Sequence, residues 1–392
     1  MGRHKRFLAA ATGAALILAA CGGNDTPAEP DTDVEADAAD DASADDASAD
    51  DASADDEAAA SEPAELTMVI ASAVALPKEE VATWAVPQAM GYFEEENLTV
   101  DIQFADGATA AIQAVASGSG DITGAGLSDA FAAIESGVPV QAVGGLVVNW
   151  PWRIATTPDS DVTDCSDLEG GAIGVISLAS GSYPYARSFV EECGLDPDSI
   201  EYLPTGIGAP AVSALEGGDV DALALYTAAY AAVENEGVEF GYLDNPAFFD
   251  PLVSLSWIAP SELIENDPDV LERFLRAANK GLLFSNANPQ RAVELGYEQL
   301  PQLLGDGSAE DRLEADTNSM STWLASTAQE GDVDTWTSFG DLNDEQLSAS
   351  MALAVSAGNI EEELPTDEAF TDALLEAAND FDFDAIRAEA AE

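Results

Sequence analysis

Any chemistry in this chain has to be done almost without histidine. The single histidine, His4, lies between Arg3 and Lys5, so the rest of the sequence lacks imidazole acids, bases and metal ligands. Cys165 and Cys193 consequently have no imidazole to activate them as nucleophiles. Carboxylates are plentiful, with 75 Asp and Glu in 392 residues. Two carboxylates suffice for acid–base hydrolysis, but spacing cannot single out a pair among so many. No Asp-rich stretch has the glycine and terminal glutamate of a calcium loop. Gly118-Ser119-Gly120 begins like a nucleotide loop, yet Thr123 stands where the third glycine belongs. We therefore assign no catalytic residue, no metal ligand and no cofactor, and expect binding without covalent chemistry.

The candidate ligand-binding residues are polar groups in short loops. Ser180, Gly181 and Ser182 precede Pro184, a residue suited to the first turn of a helix. Their hydroxyls and the free backbone N–H groups of that turn suit an anion or a carbonyl oxygen; the alternative is that Ser182 only caps the helix. Ser72, Asp106, Ser128 and Asp129 occupy similar loops in the first half, and Thr205 and Tyr226 do so in the second. Ser128 has the alternative role of a helix cap, and Asp129 that of a solvated acid in a first turn. Trp84, Trp150, Trp152, Tyr183 and Tyr226 offer aromatic walls for a planar heterocycle or a cation, with ordinary packing as the alternative for each. Trp323 and Trp336 read as core. Only Lys78, Arg153 and Arg187 lie near these loops, too few to hold a multiply charged anion. A neutral or cationic heterocycle of pyrimidine or thiamine type is expected, with a sulfonate held by helix N-termini as the alternative.

These loops are positioned by a repeated alternation of strand and helix. Hydrophobic spacing predicts strands at 66–70, 100–104, 122–125 and 140–148, with helices at 79–92, 108–117 and 129–135 between them. The pattern restarts after Trp150-Pro151-Trp152. Strands follow at 172–176, 200–203, 222–225 and 240–243, and helices at 183–192, 209–215 and up to about 234. Gly194 stands where a left-handed helix cap is expected. Two β-α-β-α-β units in series imply two α/β lobes, with ligand-competent loops at the carboxyl ends of the strands. A strand at 253–259 leads into a region read as almost wholly helical, clearest at 268–284, 289–300, 312–328 and 367–378.

Several motifs sharpen this reading. Gly91-Tyr92-Phe93-Glu94-Glu95-Glu96-Asn97-Leu98 precedes a strand, and Ala114-Val115-Ala116-Ser117-Gly118 with Asp121-Ile122 follows it. Ser136-Gly137-Val138-Pro139-Val140, Ile173-Gly174-Val175 and Leu215-Glu216-Gly217-Gly218-Asp219-Val220-Asp221-Ala222 complete the set. Over residues 66 to 290 the chain resembles the nitrate/sulfonate/bicarbonate and thiamine-precursor family of ABC-transporter substrate-binding proteins. The resemblance implies a type II periplasmic binding fold, with two lobes joined by two crossing strands and closing on a ligand. Crossings are expected near 149–157 and 246–259. Lobe 1 would comprise 66–150 and 256–392, including the C-terminal helices, and lobe 2 would comprise 151–255. The implied partners are a small solute and the permease and ATPase subunits of an importer, with the receptor a monomer. The rival functions are a sensory receptor on the same fold and an enzyme of pyrimidine synthesis.

The amino-terminal end resembles a lipoprotein leader. Arg3, Lys5 and Arg6 precede an apolar run, Phe7 to Leu18, too short to span a bilayer permanently. Leu18-Ala19-Ala20-Cys21 looks like a lipobox; an ordinary secretory peptide with an incidental cysteine is the alternative. Residues 1–20 are thus expected to be removed and Cys21 lipidated, anchoring the protein to the outer face of the cell membrane. Residues 21–65 form an acidic tether, in which Asp-Ala-Ser-Ala-Asp recurs at 41–45, 46–50 and 51–55 with no aromatic residue. With Cys21 set aside, Cys165 and Cys193 make an even pair in an exported chain, either bridged or as buried thiols. Residues 66–392 carry 58 acidic and nine basic side chains, a formal charge of −49. That excludes nucleic acid as a partner and points to a saline habitat, where ions screen the self-repulsion.

Overall fold

A computed structural model describes residues 61–392, apart from 179 and 330. The leader, Cys21 and most of the acidic tether lie outside the described residues. The tether reading was too long at its end, because the first strand begins at Ala64.

The chain builds two five-stranded sheets. The first half runs β1 (Ala64–Ile70), a π-helical turn (Val81–Ala85), α1 (Val86–Met90), α2 (Tyr92–Glu95) and β2 (Leu98–Phe104). It continues through α3 (Ala108–Ala116), β3 (Ile122–Gly126), α4 (Leu127–Glu135) and β4 (Val140–Val147). Gly91, at φ 80°, ends α1 in the left-handed conformation that glycine adopts without strain. The second half has β5 (Trp152–Thr156), β6 (Ala172–Val175), α5 (Ser182–Glu192), β7 (Glu201–Pro204) and α6 (Ala209–Glu216). It ends with β8 (Ala222–Tyr226), α7 (Thr227–Glu234) and β9 (Gly241–Leu243), before the chain returns to the first sheet as β10 (Leu255–Pro260).

The sheet orders are β2-β1-β3-β10-β4 and β7-β6-β8-β5-β9. In each, four strands run the same way and the fourth in order is antiparallel to both of its neighbours. That fourth strand is the first one laid down after the chain crosses from the other sheet. The crossings occupy 148–151 and 244–254, between β4 and β5 and between β9 and β10. Strands such as Val140–Val147 are buried along nearly their whole length, as expected of sheets covered on both faces.

The remaining helices are α8 (Ser261–Asn266), α9 (Pro268–Ala287), α10 (Pro289–Gln299), α11 (Ala309–Leu324) and α12 (Asp344–Ser356). They are followed by α13 (Thr366–Ala369), α14 (Leu375–Ala378) and α15 (Phe383–Ala390). The helix expected over 367–378 is broken: Phe370 is extended and bridges Ala142, and the Thr371 N–H donates to the Ala142 carbonyl. Edge pairing with β4 there outweighs the local helical pattern. Within α9, Gly281 lies so close to the Ala82 carbonyl and the Pro87 ring that any side chain would collide with them. Among the described residues, no helix is long and apolar enough to cross a membrane.

Helices α11 and α12 touch both halves. Asn235, the C-cap of α7, donates to the Ala315 carbonyl at 3.0 Å and accepts from Asn318 at 3.1 Å. The Asn149 N–H, in the first crossing, donates to the Ser326 carbonyl at 2.9 Å. Leu347 and Met351 of α12 join the core beside α4, whereas Leu353 joins the core around α5. In the second half, Cys165 and Cys193 are bridged, with Cα atoms 6.0 Å apart, tying the turn before β6 to the end of α5.

Candidate ligand-binding site

A cavity of about 950 Å³ lies where the carboxyl ends of the parallel strands of both sheets converge. This is the position at which open α/β sheets receive ligands. Ser72 follows β1, Asp106 follows β2, and Ser128 and Asp129 follow β3; all four line it. From the second sheet come Trp152, Ser180, Tyr183 and Tyr226. Eight of the eleven ligand-binding residues expected from the sequence are thus brought to one space.

The other three are elsewhere. Trp84 is not among the lining residues; its indole N–H donates to the Val100 carbonyl at 2.9 Å and its ring packs on the core of the first half. Ser182 is fully buried, and its hydroxyl accepts from the Ile176 N–H at 2.8 Å and pairs with the Ser180 hydroxyl at 2.7 Å. It fixes the loop that carries Ser180 and is not itself a wall of the cavity. That internal bonding also occupies groups assigned above to an anion: the Ser177 N–H donates to Ser180 Oγ, and the Tyr183 N–H to the Ser180 carbonyl. Thr205 turns back to its own sheet, donating to the Val175 carbonyl at 3.3 Å. Neither Ser128 nor Ser182 caps its helix; the N-cap residues are Gly126 and Gly181.

The aromatic wall is continuous. Trp152 and Tyr226 are register partners across β5 and β8 and meet edge to face, with ring centroids 5.7 Å apart. Trp150 stacks on Phe249 at 5.6 Å, and Tyr185 lies 5.9 Å from Trp150 and 6.0 Å from Trp152. Trp323, read as core from the sequence, is 5 % exposed but lines the cavity from α11. Asn359, just past α12, also lines it.

The sequence reading placed Lys78 near these loops but did not single out the two glutamates that follow it. Lys78 Nζ lies 3.4 Å from Glu79 Oε2 and 3.2 Å from Glu80 Oε2, with all three side chains largely buried. Burial opposes the lysine charge, but the two carboxylates outweigh it and hold Lys78 protonated well above the usual range. Burial raises the Glu79 carboxyl, against the pull of Lys78. Glu80 Oε1 accepts from the Leu76 N–H, which anchors the loop after β1. A Lys-Glu-Glu triplet at a helix start ordinarily reads as a solvated turn, and only the long loop ahead of it hinted otherwise. Elsewhere in the cavity, burial pushes the Asp129 carboxyl up to about 6. Arg187 is bound to Asp198 at 2.9 Å and lies over the Tyr183 and Tyr202 rings. Arg153, expected near the cleft, lies over Tyr242 and is not among the lining residues. The lining therefore sets three carboxylates, Glu79, Asp106 and Asp129, against two cations that already have partners. It suits a flat solute with N–H donors better than an anion.

Known proteins resemble this one in sequence and in fold. The formylaminopyrimidine-binding protein of Halalkalibacterium halodurans is 29% identical over 213 residues, covering 52% of this chain and 62% of that protein, under two thirds of its length. A 4-amino-5-hydroxymethyl-2-methylpyrimidine phosphate synthase of Legionella pneumophila is 23% identical, covering 56% of this chain and 69% of that one. The periplasmic aliphatic sulphonate binding protein SsuA of Escherichia coli superposes with a TM-score of 0.61 at 14% identity, over 78% of this chain and 92% of that chain. That likeness establishes the periplasmic binding protein fold. The model of the NMT1/THI5 like family matches residues 79–292, more than half of the 392 residues, and the chain belongs to that family.

Proposed function

We propose that the protein is an extracytoplasmic solute receptor, held to the outer face of the cell membrane through lipid on Cys21, that delivers a small nitrogen heterocycle to an ABC importer. Its partners in this reading are the importer's permease and ATPase subunits, and it acts as a monomer. The observation that carries the reading is the aromatic, carboxylate-lined cavity at the strand ends of both sheets. A solute there touches both halves, so it favours the arrangement in which they are close. The name of the Halalkalibacterium relative supports a pyrimidine-type ligand. The acidic excess of residues 66–392 fits a receptor working in a saline medium.

Thermal unfolding of the full chain in high salt, against pyrimidines, thiamine, flavins, alkanesulfonates, nitrate and amines, tests this. A ligand at 100 times its Kd adds about 2.7 kcal/mol, a rise of several degrees for a chain of this size. A rise with one chemical class identifies the solute, and a flat response to every class rejects the reading. The second reading, an enzyme of pyrimidine synthesis, is favoured by the name of the Legionella relative. Against it stands the lack of any histidine after His4. Formation of a new compound from the bound one would reverse that ranking.

A further inference from the structure

Helix α11 is rooted in the first half but reaches both the second half and the first crossing. Its Met320, Trp323 and Leu324 are buried in the core of the first half. Its Asp316 accepts from the Tyr297 hydroxyl of α10 at 2.7 Å and pairs with Arg312 at 3.1 Å. Towards the second half, Asn235 binds the Ala315 carbonyl and Asn318, and both asparagines are exposed. Apolar contact there is slight: among the described residues of 152–243, only Ala228 is buried in the core of the first half. Just past α11, Asn149 of the first crossing holds three carbonyls. Its backbone N–H reaches Ser326, and its side-chain amide reaches Ala325 at 3.1 Å and Ala328 at 2.9 Å. Trp323 and Ser326 also line the cavity. One helix and the turn after it thus touch the solute space, the crossing and the far half.

Helix α12 straddles the halves in a different way. Leu347 and Met351 pack in one core and Leu353 in the other, and Ser350 Oγ accepts from the Val253 N–H of the second crossing at 3.3 Å. Apolar contacts buried on both sides suit a pivot. The ties of α11 to the second half and to the crossing are hydrogen bonds from exposed amides, which water replaces when they part. They suit a catch.

We propose that the α7–α11 seam is a latch on the cleft, working from outside the cavity, with Asn235 and Asn149 as its positioning residues and α12 as the pivot. The latch sets how much of the population has the two halves together. It goes beyond the reading of the cavity as a solute site and does not depend on which solute the cavity takes.

The test is the distance between nitroxide labels on Ser117→Cys and Ser213→Cys, exposed positions in opposite halves, measured by double electron–electron resonance. The full chain carries Cys21→Ser, so that with Cys165 and Cys193 bridged only the two new thiols react. The latched chain should give one principal distance. Asn149→Ala combined with Asn235→Ala removes four hydrogen bonds. It should add a second distance, with the open fraction raised about tenfold or more. Asn318→Ala removes one bond, should raise that fraction about two- to threefold, and serves where the double variant fails to fold. Asn235→Asp keeps the acceptor for Asn318 and should fall between wild type and Asn235→Ala. A purely structural role would lower the melting temperature and leave the distances unchanged, and that result overturns the latch. A wild-type chain already spread over both distances overturns it too. Neither result bears on the solute reading, which the thermal shifts test separately.

Discussion

Trp152 and Tyr226 stand opposite each other across β5 and β8 and meet edge to face at 5.7 Å, while the Trp152 indole N–H reaches Ser254 Oγ at 3.2 Å. One aromatic residue thus joins the wall of the cavity to the second crossing between the sheets. Replacing Trp152 with alanine removes the ring surface and leaves Tyr226 unsupported. We expect solute affinity to fall by about 10- to 100-fold, with Trp152→Phe losing less than tenfold; calorimetry on both variants checks this.

Trp84 and Ser182 should separate stability from binding. Trp84→Phe removes the bond to the Val100 carbonyl and should cost about 1 kcal/mol of stability with unchanged affinity. Ser182→Ala leaves the part-buried Ile176 N–H without its acceptor, at a cost of about 1 kcal/mol. It should also weaken binding, because Ser180 loses the hydroxyl that fixes it. Denaturant melts and titrations of both variants distinguish the two patterns.

Asp129 makes a pH-dependent contribution whose sign follows from burial. Its carboxyl titrates at about 6 in the fold, above the ordinary 3.8, so the folded state holds the proton more tightly than the unfolded chain. That stabilisation is present at low pH and is lost as pH rises towards and through 6. Between pH 5 and 7.5 the wild type should lose about 1.4 kcal/mol relative to Asp129→Asn. Parallel urea melts of the two proteins, in the same salt, isolate this from the titration of the other acids.

The Cys165–Cys193 bridge closes a 28-residue span in the second half. Reduction, or Cys165→Ser, should lower stability by roughly 3 to 4 kcal/mol in the chain-entropy account. Calorimetric scans with and without reductant report the difference.

With 58 acidic against nine basic residues over 66–392, self-repulsion should dominate at low ionic strength. The Debye length falls from about 10 Å at 0.1 M salt to about 3 Å at 1 M. The melting temperature should therefore rise steadily from 0.05 to 2 M NaCl. A flat profile would mean that the charges are too far apart to matter.

Most of the fold was legible because its strands are short apolar runs between Gly, Pro and Asp, as at Ile122–Gly126 and Ala222–Tyr226. The loops after those strands gave most of the cavity for the same reason: strand polarity alone sends their ends to one edge. The misses came from contacts distant in sequence. Nothing local shows that Trp84 would reach Val100, or that β4 would pull Phe370 out of a helix. Trp323 is the core residue its helical pattern suggests, and the seating of α11 against α7 brings it to the cavity as well. Glu79 and Glu80 were read only as the start of a helix, because sequence cannot show the Leu76 loop folding over Glu80.

The exchange of strands between the two sheets has a consequence for how the chain assembles. The second sheet is built from β5 to β9, all within residues 152–243, and can complete itself as one continuous stretch. The first sheet cannot: β3 and β4 are separated by β10, which is more than a hundred residues away. Until residues 255–260 arrive, β3 and β4 each have an open edge facing an empty lane, and closing it carries the entropy of a long loop. The second half should acquire its hydrogen-exchange protection first, with the first half guarding two unpaired edges against intermolecular pairing in the interval.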